Sequence, residues 1–365
     1  MWQDERLEQL FSSINQMLSA DIKCSQRRLK LETYAVLPVS KRAGILEWVK
    51  DTQPIGDYVK CDWSVTPRGE YLQMHGGGGF ADKYEKSFTA GQEDNSESFD
   101  RKFTALVEKV PSDLMRQGLL AQQSSFQAQY MLRSNFVTSL SAMNASHYVL
   151  GIGDRHSSNT LVTDRGLLVG IDFGVAFGKG AWSVPVPELV PFRLTRQMLG
   201  VLAPLDSEAL LKCSMTCVML ALRANKHLLK QNLSIFLEDP TMDWIIDNKS
   251  YAGAGVAGDA GGGGGAGPGH DKFLFLQDRM QVLERKLEGG HPCDVMLHEV
   301  GCNRLPIVKN NLKGFEAILG RVKGSPVSLE SEPGDRGGGG RGGRGRSIGK
   351  HNNSLTAADQ VLSPD

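Results

Sequence analysis

Long apolar runs are missing from this 365-residue sequence. The most apolar helical stretch, Met215 to Leu222, is too short to span a bilayer and runs straight into Arg223 and Lys226, so no membrane span is expected. An excess of one charge is missing too. Lysine and arginine number 41 and aspartate and glutamate 41, and a balanced chain has no overall pull toward nucleic acid or an anionic membrane. Cysteine is sparse, with Cys24, Cys61, Cys213, Cys217, Cys293 and Cys302 scattered too widely for a disulfide framework. That usage points to reduced thiols in the cytosol or nucleus. No secretory leader is visible, because Met1-Trp2-Gln3-Asp4-Glu5-Arg6 opens at once into an amphipathic pattern. Around Gly76 to Gly79 there is neither a G-x-G-x-x-G nor a Walker spacing, and these glycines follow no clean strand, so they read as a flexible insertion rather than a phosphate cradle.

What is present is mostly helical pattern. Leu7, Leu10, Phe11, Ile14, Met17 and Leu18 recur at helical spacing. Leu31 to Val39 is rich in strand formers and ends near Pro38, and Ile45 to Val49 is a second short apolar run closed by Asp51, Pro54 and Gly56. Helix is expected again over 111–120, 126–149 and 199–229, and on the spacing of Phe273, Leu276, Met280, Leu283 and Leu287. Phe126, Tyr130, Val137, Leu140 and Tyr148 are expected to face the polar loop that follows. Pro185, Pro187 and Pro191 forbid regular structure between. His291, Cys293, His298 and Cys302 are metal-ligand types, but their spacing matches no paired zinc pattern; helix-start and core roles are expected, with Pro292 in a first turn. The Arg/Gly tract from Gly334 to Arg346 reads as a linker, an RNA-binding tract being the alternative.

The chemistry concentrates between Ile152 and Gly174. A polar loop carries Asp154 and Asn159 at D-x-x-x-x-N spacing, a hairpin-like segment follows, and the apolar run Leu167 to Ile171 delivers Asp172 in Asp-Phe-Gly. Nucleoside triphosphates need Mg²⁺, which prefers carboxylate and amide oxygens. Asp172 and Asn159 can supply them, and Asp154 can orient an accepting hydroxyl and take its proton. Either fragment alone could be a loop or turn; together, after an apolar strand, they point to phosphoryl transfer.

The order Gly153-Asp154-Arg155-His156, with Asn159 and Asp172-Phe173-Gly174, resembles the phosphatidylinositol 3-kinase superfamily. Gln3-Asp4-Glu5-Arg6, Tyr34 to Pro38, Glu47-Trp48-Val49 and Pro191 to Arg196 look like its protein-kinase branch, the phosphatidylinositol 3-kinase-related kinases. Cys24 to Arg27 and Val184 to Pro191 narrow the resemblance to one member of that branch. It implies an α+β, protein-kinase-like fold: a small-lobe remnant over 1–48, a mainly helical large lobe over 49–249 with an insertion near 76–100, a Gly-rich insertion over 250–270, further large-lobe helices over 271–322, an Arg/Gly linker over 323–353 and the start of a C-terminal helical motif over 354–365.

By the same resemblance Asp154 acts as base, with His156 stabilising charge or assisting proton transfer, unless it merely packs the loop. Asn159 and Asp172 hold Mg²⁺ (or Mn²⁺), Trp48 and Val49 hold the adenine of ATP, and Asp4 lines the cleft. A core role for Trp48 is the alternative. Phe173, Gly174, Lys179, Pro191, Phe192 and Arg193 belong to the activation loop. That loop offers Lys179 alone where a lipid kinase would need a basic cluster, so protein Ser/Thr hydroxyls are the expected substrates, with a phosphoinositide kinase or a non-catalytic scaffold as alternatives. The resemblance further implies a nuclear role in DNA double-strand-break repair and DNA-end-binding partner proteins reached through regions outside this sequence, with no direct nucleic-acid binding. The family's phosphate loop and strand lysine precede Gln3, where this chain has only Met1 and Trp2, and the aromatic end of the C-terminal motif has no counterpart. The resemblance therefore implies a weak kinase from this chain alone.

Overall fold

A computed structural model describes residues 2–40, 43–59, 111–238, 268–303 and 305–324. The insertion near 76–100, residues 250–267, the Arg/Gly tract and residues 354–365 lie outside the described residues.

Helix α1 (Trp2–Ala20) buries the apolar stripe read from its spacing: Leu7, Leu10, Phe11, Ile14, Met17 and Leu18 all sit in the main core. After α2 (Ile22–Gln26), capped by the Asp21 carboxylate on the Cys24 N–H, the chain reaches the antiparallel pair β1 (Val36–Pro38) and β2 (Gly44–Leu46), with Leu37 opposite Ile45. The expected strand from Leu31 is shortened to its last residues for a local reason. The backbone N–H of Leu31 donates to Asn15 Oδ1 at 2.8 Å, its carbonyl accepts from Asn15 Nδ2 at 2.9 Å, and the Tyr34 N–H donates to Glu8 at 3.3 Å. Side chains of α1 take the groups a sheet would have used.

A second sheet, β3 (Thr52–Pro54), β4 (Thr160–Thr163) and β5 (Leu168–Gly170), runs antiparallel in that order, with Gln53 opposite Val162 and Leu161 opposite Val169. Between β3 and β4 come α3 (Ile55–Tyr58), α4 (Leu114–Ala121) and α5 (Phe126–Leu150). Helix α5 starts where Ser125 caps the Ala128 N–H at 3.2 Å. Its last turns, Leu140 to Leu150, are buried on every side. Phe126 and Tyr130, expected to face the polar loop, are instead exposed at the far end of the helix. Gly151 ends α5 at φ 64, and a Cβ there would meet the Gly178 nitrogen at 2.5 Å, so glycine is required for the turn into the polar loop.

The chain continues through a short turn of helix, α6 (Lys179–Trp182), then through α7 (Arg196–Leu202), α8 (Ser207–Ala224) and α9 (Lys226–Glu238). Helix α8 packs along α5 and contacts α1. Helix α10 (Pro268–Leu287) begins inside the stretch expected to be irregular; Pro268 opens it, the first turn being where proline is tolerated. Helix α11 (Pro292–Gly301) has Pro292 in its first turn and the His291 side chain as its cap, as expected. Helices α12 (Pro306–Asn310) and α13 (Leu312–Gly324) follow, and Phe315 and Leu319 of α13 pack with Met296 and Val300 of α11 in a second apolar cluster that includes Leu189. No helix among the described residues is long and apolar enough to cross a membrane.

Candidate active site

The loop between α5 and β4 and the turn after β5 are brought together by one side chain. Arg155 donates from Nε to the Gly153 carbonyl (2.8 Å) and from Nη1 to the carbonyls of Asn159 (3.3 Å) and Ile171 (2.9 Å). Its Nη2 donates to the Asp172 carbonyl, and its guanidinium lies 5.1 Å from the Phe173 ring centre. Four backbone carbonyls of the two motifs thus share one cation. Its place between Asp154 and His156 was legible, but not this role.

Asn159 is buried, and its Nδ2 donates to the Asp154 carbonyl (3.0 Å) and to the Asp154 carboxylate (3.4 Å). With the amide nitrogen so engaged, the side-chain oxygen is the atom left to act as a ligand. The His156 Nδ1 accepts the Ser158 N–H at 3.2 Å, which puts the proton of the neutral ring on Nε2, 4.0 Å from Asp154 Oδ1. Asp172 is exposed and accepts the Gly174 N–H at 3.3 Å. Asp154 and Asp172 sit at φ 56 and 53, a left-handed conformation that aspartate tolerates better than most residues.

Phe173 anchors the Asp-Phe-Gly turn in the core. Its ring meets Phe11 edge-on at 5.2 Å and His147 at 6.1 Å, and a Cβ on Gly170 would come within 3.2 Å of it. Burial, and then the charge of Arg155, push the His147 imidazole well below its usual range, so it packs as a neutral ring. Asp4, expected in the cleft, reaches the same turn: its Oδ1 accepts the Phe173 N–H at 3.1 Å. Trp48 is 85% exposed, which removes the core role for it; the Val49 carbonyl accepts the Thr52 hydroxyl at 2.9 Å. Of the other activation-loop residues, Gly174 is exposed, Lys179 opens α6, Pro191 lines a cleft beneath the polar loop, Phe192 packs against the core and the Arg193 carbonyl faces Asn144 Nδ2 at 3.5 Å.

Glu188 was missed by sequence reasoning. Its Oε1 accepts the Asp154 N–H at 2.6 Å, and a Cβ on Gly153 or Gly180 would come within 2.3 or 2.2 Å of its other oxygen. Burial raises its carboxyl above the usual range, partly offset by the Asp154 N–H. The signal was a lone carboxylate in an apolar, proline-rich segment. Glu188→Ala strips the Asp154 N–H of its acceptor and is expected to cost about 1–3 kcal/mol. Glu188→Gln, which keeps the acceptor, should cost clearly less. Urea unfolding of both variants checks this, and equal losses would rule out the hydrogen bond as the cause.

Asp154, Asn159 and an Asp-Phe-Gly turn thus meet on a mixed α and β frame, the residue set that phosphoryl transfer uses in kinases. The Phosphatidylinositol 3- and 4-kinase model matches residues 1–246, and the chain belongs to that family. Among its relatives are DNA-dependent protein kinase catalytic subunits, 31% identical over 351 residues in Dictyostelium discoideum and 35% over 314 residues in Canis lupus familiaris. These alignments take in 88% and 82% of this chain but 8% and 7% of those relatives, so the chain spans less than a tenth of their length. Cys24 to Arg27 and Val184 to Pro191 point to the same relatives. The solved FAT and kinase domain of CtTel1 shares the fold, with a TM-score of 0.58 at 23% identity over 85% of this chain and 20% of that one.

Proposed function

We propose that this chain is the catalytic region of a serine/threonine protein kinase that moves the γ-phosphate of Mg·ATP to protein hydroxyls in the nuclear response to DNA breaks. The carrying observation is the joining of Asp154, Asn159 and Asp172 through Arg155 and the Asn159 amide. The donor set fits a hard cation: an exposed carboxylate at Asp172 and an amide oxygen at Asn159 whose nitrogen is already spent. Bound Mg²⁺ would neutralise phosphate charge there. Asp154 orients the accepting hydroxyl and takes its proton, and His156 presents Nε2 toward the same space. Trp48, whose side chain is exposed, and Val49 would be the residues that meet the adenine. Asp4 holds the Phe173 N–H and so fixes the turn that carries Asp172.

Relatives named DNA-dependent protein kinase, and an activation loop with Lys179 as its only basic residue before Arg193, support protein over lipid as substrate and DNA repair as the setting. DNA-end-binding proteins would be partners of the longer protein. The deciding assay offers radiolabelled ATP, Mg²⁺ and either a Ser/Thr peptide or phosphoinositide vesicles. Weak peptide labelling that Asp154→Asn removes is expected from this chain alone; preferential labelling of the lipid would overturn the protein-kinase reading.

A further inference from the structure

Asp278 of α10 and His298 and Cys302 at the end of α11 form a cluster that phosphoryl transfer does not use. Their ligand atoms all lie within 4.8 Å of one another. His298 and Cys302 are four residues apart, so the helix stacks them on one face. Asp278 Oδ1 lies 3.0 Å from His298 Nε2, while Oδ2 of the same carboxylate accepts from Arg279 Nη2. The side chains of His298 and Asp278 are partly solvent-accessible, which leaves an ion a way in.

We propose that Asp278, His298 and Cys302 bind Zn²⁺. An oxygen, an imidazole nitrogen and a thiolate form a mixed donor set that suits borderline-soft Zn²⁺ and not Mg²⁺. Asp278 Oδ1, His298 Nε2 and Cys302 Sγ are the ligands, and water takes the fourth position. As the metal–sulfur bond forms, the Cys302 thiol gives its proton to solvent. The second oxygen of Asp278 stays on Arg279, the outer-sphere hydrogen bond that orients a metal-binding carboxylate. Arg279 also donates to Glu299 at 3.0 Å and to the Phe177 carbonyl at 3.0 Å. Phe177 follows Gly174 by three residues, and Gly178 beside it is at φ 78 with no room for a Cβ against Glu299 and Arg279. The metal therefore ties α10 to α11 and braces the start of the activation loop. His291 and Cys293, the other metal-ligand types of this segment, are not part of it: the His291 side chain caps the Cys293 N–H, a helix-start role.

Metal uptake is read without a phosphotransfer assay. The chelator-treated chain is titrated with Co²⁺ and followed by the thiolate-to-cobalt charge-transfer band. One equivalent should bind, be displaced by one equivalent of Zn²⁺ and resist a large excess of Mg²⁺. Cys302→Ser should lose the band, His298→Gln should weaken binding at least about tenfold, and Cys213→Ser, at an exposed thiol elsewhere, should change nothing. No stoichiometric uptake, or a band that survives in Cys302→Ser, overturns the proposal. Should circular dichroism show Cys302→Ser to be unfolded, His298→Gln decides, and unchanged affinity there is equally fatal.

Discussion

Glu8→Gln is expected to be more stable than the parent by roughly 3–5 kcal/mol at pH 8 and to match it near pH 4.5. Glu8 sits on the buried face of α1, where one carboxyl oxygen accepts the Tyr34 N–H at 3.3 Å and the other is buried with no partner. Burial pushes this carboxyl from 4.5 up to about 8, the Tyr34 N–H acting against it and Asp4 adding to it. Between those two values the folded chain holds a proton that the unfolded chain has released. Stability therefore falls as pH rises through the window, by about 1.36 kcal/mol per pH unit, and is flat above it. Glutamine keeps an acceptor for Tyr34 and has no proton to lose. Urea unfolding of both proteins at pH 4.5, 6 and 8 measures the difference; parallel pH profiles would show that Glu8 titrates normally.

The same helix shows how far sequence carries. Its apolar stripe was legible because a 3.6-residue period needs no knowledge of what packs against it. Asp154, Asn159 and Asp172 were legible because residue type and short spacing state the chemistry. Asn15 and Glu8 were not: they reach residues 16 and 26 positions away to occupy backbone groups that Leu31 and Tyr34 would otherwise offer a strand. Nor was the exposure of Trp48, since the apolar run over 45–49 is too short for its period to choose a face. Asp278 joins His298 and Cys302 from another helix, so no linear spacing announces that cluster. Trp48 apart, what escaped is in each case a long-range pairing of a polar side chain.

Arg155→Met is expected to cost about 3–5 kcal/mol in stability and at least about 100-fold in phosphate transfer. Methionine keeps a long apolar stem but removes the guanidinium that lies against Phe173 and every donor to the carbonyls of Gly153, Asn159, Ile171 and Asp172. Hydrogen bonds from a charged donor contribute about 1.5–3 kcal/mol each, and water restores part of the loss at the exposed Asp172 end, so the four do not add. Asp154 and Asp172 both hold left-handed backbone, at φ 56 and 53, against an intrinsic cost of about 1–3 kcal/mol each. Arg155 from one side and Glu188 from the other supply the bonds that keep them there. Without Arg155 both carboxylates are free to relax, and a displacement of about 1 Å is enough for the expected loss of rate. Arg155→Lys separates charge from shape: an ammonium keeps the charge but cannot span four carbonyls in one plane. It should recover part of the stability and little of the transfer. Parallel urea unfolding and radiolabelled-peptide assays test the pair, and a lysine variant with full activity would show that the guanidinium fork is not what positions Asp154 and Asp172.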